Sequence, residues 1–446
     1  MSILKSVEIW GFRGHNKIKI NFDKNTNFLI GKNGTGKTNI INIISSLLQC
    51  DFKNLTRLPF SKAKINIKNL NTRAFSYIEY DKEDTESPFF KLTLFNAKKE
   101  IRNIFFVRDD GVFYPDVETN EDNVRIVERW SSLALRNPAR FKAPSRRGDP
   151  SSPFSIVNEL VKSSWLSVHR GEIGREHVEG SYETSVDTKL RQIYNDLPRF
   201  FSSLDSKAAL LFHKFQETYF LSLLFDKNVD PSMMKVERFN LEQEKQSLEQ
   251  IFNSLKLSKK TYKHQLDSHF EFLKESYSAY DDFVKPGSTS IKSEFYHGLL
   301  NAKRIHKIVQ EWNHYQEERK TVYEPKTEFL EIINELFSDK NVSIDDRNAP
   351  SVTLSTDTDK KIPLTGLSSG EKQMFILLGE ALLQEQKPWV YIADEPELSL
   401  HLEWQELLVS SLKKINPAAQ ILFATHSPEI LGPYGDNAID MAELLV

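Results

Sequence analysis

The chain contains a single cysteine, Cys50, among 446 residues. That excludes an internal disulfide and a metal centre built on clustered cysteines, and it points to a reducing intracellular compartment. Long apolar runs are missing as well. No uncharged stretch approaches the roughly 20 residues a membrane-spanning helix needs, and the opening MSILKSVEIWGFRGH has no apolar signal core. A cytoplasmic protein with no membrane partner is expected. Neither charge sign dominates: 59 basic residues face 62 acidic ones, a net charge of −3. Contact with nucleic acid or an anionic membrane therefore needs a local patch rather than a global field. There is no internal repeat and no low-complexity tract. What is present, 39% hydrophobic and 27% charged residues, is ordinary globular composition, and the length fits two or three structural units.

The most informative run is GKNGTGKT, residues 31–38. It follows an apolar stretch at 27–30 and precedes a helix-like one at 39–44, the strand, loop, helix order of a phosphate-binding P-loop. Gly31, Gly34 and Gly36 let backbone N–H groups curl around phosphate oxygens, with Asn33 inside the loop. The helix start at Thr38 and Asn39 adds a positive dipole end. Lys37 reaches the terminal phosphates, and the Thr38 hydroxyl is a ligand for Mg²⁺. ATP with Mg²⁺ is the expected occupant.

The pattern around the loop predicts an α/β chain. Period-two alternation gives short strands at 4–12, 17–22, 27–30, 64–69, 74–80, 89–95 and 101–107. Residues 1–186 thus form a β-rich N-terminal lobe. Within it, Arg129, Arg136, Arg140, Lys142, Arg146 and Arg147 lie without an acidic neighbour across 129–148. This segment is either a contact for phosphate backbone or an acidic partner, or a solvated loop. A strand at 165–170 ends in His169 and Arg170; Arg170 is a nucleotide-side or arm-hinge contact, or a strand-end charge. Helical periodicity governs 187–338, with segments at 236–257, 261–284 and 293–337 broken at Pro286 and Gly287. This is the expected helical, short coiled-coil-like insertion. Even an unbroken helix of 45 residues reaches only about 68 Å. Residues 339–446 return to strands at 342–344, 352–355, 389–394 and 420–425, with helices at 367–384 and 403–415, the alternation of a parallel sheet.

The strand at 389–394 is apolar until it ends in Asp394 and Glu395. Two carboxylates at the carboxyl edge of a parallel sheet, beside a P-loop, have separate tasks: Asp394 holds Mg²⁺, and Glu395 takes a proton from the attacking water. Ser368, Ser369 and Gly370 open the preceding helix and offer hydroxyl and N–H donors at its N-terminus.

The segment Leu367-Ser368-Ser369-Gly370-Glu371-Lys372-Gln373 resembles the signature motif of ABC-class ATPases, usually LSGGQ, with Ser369 and Glu371 as departures. The order P-loop, helical insertion, signature, Asp-Glu resembles the RecF, SMC and OLD branch of that class. The run from Asp394 to His401 with Trp404 and Gln405 is similar to the extended Walker B and D-loop of OLD-like ATPases. Ala424 to Pro428 resembles their switch-histidine motif, which implies that His426 meets the γ-phosphate. The opening Ile9 to Gly14 resembles the family's first strand, where Arg13 lies beside the nucleotide or is a surface charge. Gln49 lies only twelve residues after Lys37, so the Q-loop role stays unassigned.

The resemblance implies an ABC-type ATPase head that pairs head to tail, as a homodimer or higher homo-oligomer. Ser368, Ser369 and Gly370 of one chain then act on ATP held by Lys37 and Thr38 of another. About twenty residues follow His426, too few for the Toprim nuclease domain of full-length OLD proteins. A nuclease or toxin effector, a Toprim protein among the options, is therefore expected on a separate polypeptide. That arrangement is similar to antiphage systems such as PARIS and Septu. The alternative is a RecF- or SMC-like DNA clamp in repair or chromosome maintenance. A transporter ATPase fits poorly, because the long helical insertion and the Ser399-Leu400-His401-Leu402 pattern are foreign to that class.

Overall fold

The computed structural model describes residues 2–82, 90–108, 111–113, 152–167, 185–222, 224, 236, 238–286, 290 and 292–444. The basic segment 129–148 and Arg170 lie outside them. Two compact units are present, Met1–Arg199 with Lys326–Val446, and Phe200–Pro325.

In chain order the strands of the first unit begin with β1 (Ser2–Phe12), β2 (His15–Asn21), β3 (Thr26–Ile30), β4 (Lys62–Asn69) and β5 (Phe75–Asp81). Next come β6 (Phe90–Asn96), β7 (Ile101–Arg108), β8 (Gly111–Phe113) and β9 (Lys162–Ser167). The last are β10 (Lys340–Ile344), β11 (Pro350–Leu354), β12 (Asp357–Ile362), β13 (Trp389–Asp394), β14 (Gln420–Ala424) and β15 (Ala438–Asp440). Seven of them form an antiparallel sheet in the order β2-β1-β4-β5-β6-β7-β8. Its alternation is plain in β4, where Ala63, Ile65 and Ile67 are buried between less buried Lys62, Lys64, Asn66 and Lys68.

The sheet that carries the P-loop is five-stranded and parallel, in the order β15-β3-β14-β13-β9. Every residue of β14 is buried, and all of β13 beyond Trp389, as expected of a sheet covered on both faces. The helix Lys37–Gln49 lays Ile40, Ile41, Ile43, Ile44, Leu47 and Leu48 into the core it shares with both sheets. Gln420, also buried, joins the sheets: its side-chain amide accepts from the Leu4 N–H at 2.8 Å and donates to the Leu4 carbonyl at 2.9 Å. The amide thereby satisfies the Leu4 backbone N–H and carbonyl, beside the register of Leu4 with Ile67 of β4.

Cys50 closes the helix Lys37–Gln49 in a left-handed conformation and packs its side chain against that core. The residue keeps some exposure, yet burial of the thiol pushes its pKa up to about 12. Alkylation by iodoacetamide at pH 8 should be roughly a thousandfold slower than for a free thiol. Peptide mass spectrometry of the folded chain checks this, and labelling at an ordinary rate would contradict the packing.

The second unit is helical. Its helices Leu241–Ser254 and Lys259–Val284 pack with parts of Ser185–Ser222 and Ser293–Leu336 around two apolar clusters. One gathers Tyr262, Leu266, Phe270, Leu273 and Ala302, the other Phe215, Ile251, Ile308 and Trp312. The helix expected from 236 starts at Leu241, because the Asn240 side chain accepts the Gln243 N–H and caps it there.

Candidate functional site

The P-loop geometry follows from its glycines. Gly31, Gly34 and Gly36 have φ of 142°, 83° and 97°, the positive region that side chains avoid. A Cβ on Gly36 would stand 2.9 Å from the Phe12 ring and 3.2 Å from Arg13 Nε. Arg13 is thus over the loop: its guanidinium also donates to the Gly34 carbonyl. Asn33 is exposed beside Gly34, and Asn39 is half-buried in the helix's first turn.

Lys37 is buried, and its ammonium donates to the carbonyls of Gly31 at 2.7 Å and Lys32 at 3.3 Å. Burial draws its pKa below the usual lysine range, opposed by the nearby carboxylates Glu395, Asp394 and Glu397. Thr38 Oγ1 lies 3.3 Å from Asp394 Oδ1. Asp394 and Glu395 stand at the carboxyl end of β13, and the Glu395 N–H bonds the Ala424 carbonyl at the end of β14. His426 follows β14, with Nδ1 3.5 Å from Lys37 Nζ and Nε2 3.9 Å from Glu395 Oε1. An ammonium only donates, so in this contact Lys37 is the donor and Nδ1 the acceptor, with Nε2 on the side of the carboxylate. Asn33, Glu395, Ser399, Gln405 and His426 share the wall of an open cleft of about 650 Å³.

The signature segment opens its helix as the sequence predicts, two residues later than 367. Ser368 precedes the helix Ser369–Leu383 as its N-cap, its Oγ accepting the Glu371 N–H at 3.3 Å while Glu371 Oε2 accepts the Ser368 N–H at 2.6 Å. The departure Glu371 therefore completes a capping box, and its other oxygen pairs with Lys340 at 2.7 Å. Ser368 and Ser369 are exposed. Among the described residues neither side chain bonds the P-loop of its own chain. Gly370 is buried, and a Cβ there would lie 2.6 Å from the Ser399 carbonyl oxygen, in the loop that follows Glu395. Gly370→Ala should destabilise the fold by about 1–3 kcal/mol, read as a fall in Tm; an unchanged Tm would show that the loop yields freely.

Sequence reasoning gave no role to Glu397. It is buried, and its Oε1 accepts both the Thr425 hydroxyl at 2.7 Å and the His426 N–H at 2.9 Å. The signal was a third carboxylate so close to Asp394 in a turn that had to leave an apolar strand. Gln49, at the end of its helix, shows no reason to serve as a Q-loop.

The AAA ATPase domain family matches residues 1–431, nearly the whole chain. The chain belongs to that family. It is also 22% identical over 435 residues to the "Retron Vc95 probable ATPase" of Vibrio cholerae serotype O1 biovar El Tor, covering 96% of this chain and 71% of that protein. Among solved structures it is similar to the Smc head domain of Pyrococcus furiosus bound to the C-terminal domain of ScpA. That likeness has a TM-score of 0.41 and 14% identity and covers 99% and 93% of the two chains. The Smc head domain of Pyrococcus yayanosii gives 0.39 and 15%, covering 99% and 95%. This AAA-family protein is an ATPase that binds nucleotide. No helix among its described residues is long and apolar enough to cross a membrane.

Proposed function

We propose that this ATPase closes as a head-to-tail pair of chains around ATP, and that the closed pair is the scaffold or sensor of a prokaryotic antiviral defence system. It controls a nuclease or toxin on another polypeptide. The convergence of Lys37, Thr38, Asp394, Glu395 and His426 at the ends of three parallel strands carries the reading. Glu395 accepts the proton of the attacking water, Lys37 binds the β- and γ-phosphates, and His426 donates through Nε2 to the γ-phosphate. The hydroxyl of Thr38 and the carboxylate of Asp394 fit Mg²⁺, a hard cation that takes oxygen ligands. When bound, the metal offsets charge on the phosphoryl oxygens.

Ser368 supports the pairing. Its oxygen already accepts within the capping box, so its proton is available to a phosphate held by another chain, at a helix N-terminus that favours anions. Similarity to a retron ATPase along nearly the full chain supports a place beside a retron-type system. The test is a pull-down of tagged Glu395→Gln protein made with its neighbouring genes, read by mass spectrometry and by nuclease-sensitive staining. A co-purifying effector without DNA is expected. DNA without an effector overturns the scaffold in favour of a DNA clamp.

A further inference from the structure

We infer that Glu397 is a positioning residue for ATP hydrolysis, holding His426 in register with Lys37 and Glu395. The inference rests on the reading of His426 given above. A carboxylate that is 9% exposed is costly to bury unless strong hydrogen bonds offset the lost hydration. Glu397 spends one oxygen on two donors, the Thr425 hydroxyl and the His426 N–H. Its other oxygen, Oε2, is buried with no hydrogen-bond partner among the described residues. An arrangement serving stability alone gains little from half a carboxylate in this state.

The position explains the choice. Thr425 Oγ1, having given its proton to Glu397, accepts the Ser427 N–H at 3.0 Å, so residues 425–427 hang from one carboxylate. That carboxylate sits in the turn that begins with Glu395, whose own N–H bonds Ala424. The Leu400 N–H bonds the Glu397 carbonyl at 2.9 Å and stiffens the turn. Both partners of His426 are thereby fixed: Lys37 by the P-loop, Glu395 by β13, and the imidazole between them by Glu397. Glutamine can accept the same two bonds at Oε1. Alanine cannot.

The experiment compares Glu397→Ala, Glu397→Gln, Thr425→Val and His426→Ala in the whole chain by kcat, KM for ATP and Tm. Glu397→Ala should lower kcat about 10- to 100-fold, the scale of a misplaced catalytic group, with KM within about threefold of wild type. Glu397→Gln recovers most of that loss, and Thr425→Val, which removes the hydroxyl that bonds both Glu397 and the Ser427 N–H at nearly constant volume, falls between. The combination Glu397→Ala with His426→Ala should be no slower than His426→Ala alone, because both changes remove one contribution. Additive losses overturn the inference, as does full activity in Glu397→Ala beside an impaired His426→Ala. If Glu397→Ala does not fold, Thr425→Val with a wild-type kcat overturns it equally. Normal turnover by His426→Ala defeats the role given to that histidine together with this inference.

Discussion

Glu395→Gln is expected to slow ATP hydrolysis by about 10²- to 10⁴-fold, the range for removing a general base, while ATP still binds. The change keeps the shape of the side chain and the backbone bond to Ala424 that fixes the turn. What it removes is the carboxylate that faces His426 Nε2 at 3.9 Å and can accept the proton of the attacking water. It also removes a negative charge from the neighbourhood of the triphosphate, so ATP affinity should hold or rise. If two chains share each nucleotide, the variant accumulates as an ATP-bound dimer, visible by light scattering as a doubled mass that disappears without ATP. Turnover at the wild-type rate would move the base elsewhere.

Lys37→Ala is expected to weaken ATP binding by roughly 10- to 150-fold, the equivalent of losing a hydrogen bond to a charged group, and to cut the rise in Tm that ATP gives the wild type at the same concentration to about half or less. At 100 times Kd that stabilisation is about 2.7 kcal/mol. The nucleotide-free variant carries a second signature. Burial lowers the Lys37 pKa from its ordinary 10.5, so the folded state releases this proton more readily than the unfolded chain. Between the folded pKa and 10.5, wild-type stability gains a contribution with rising pH that the alanine variant lacks. Isothermal titration checks the first effect and paired denaturation curves check the second. Unchanged affinity would remove Lys37 from the phosphate site.

Those positions were legible because their chemistry is local. A P-loop places its glycines, lysine and threonine within eight residues, and the apolar strand ending in Asp394 and Glu395 is a short continuous pattern. Strand periodicity marked β1, β4 and β13 within a few residues. The short strand β15 and the helix Pro153–Leu160 were not anticipated, since three or eight residues hold too little periodicity and β15 exists only by pairing with β3. β12 escaped for another reason: its polar Asp357 to Lys361 run is held by the β11 ladder rather than by an apolar face. Arg13 was ambiguous in sequence because only the fold brings it over Gly34. The partners of Glu397 were out of reach of the sequence because Thr425 and His426 come from the end of another strand.

The five-stranded sheet has a consequence in time. The strand that launches the P-loop finds its neighbours only in residues 421–424 and 438–440, and Leu4 meets Gln420 across 416 positions. At a synthesis rate of about 5–20 residues per second, β3 waits roughly 20 to 80 s on the ribosome for the strands that flank it. During that interval β3 has bare edges and the helix behind it a bare apolar face, both prone to the wrong company. A nascent chain of this kind needs shelter, and an interrupted one lacks Asp394 and Glu395, the carboxylates proposed to act beside the P-loop. Enzymatic competence therefore arrives late, with the closing strand rather than with the glycine loop that announces it.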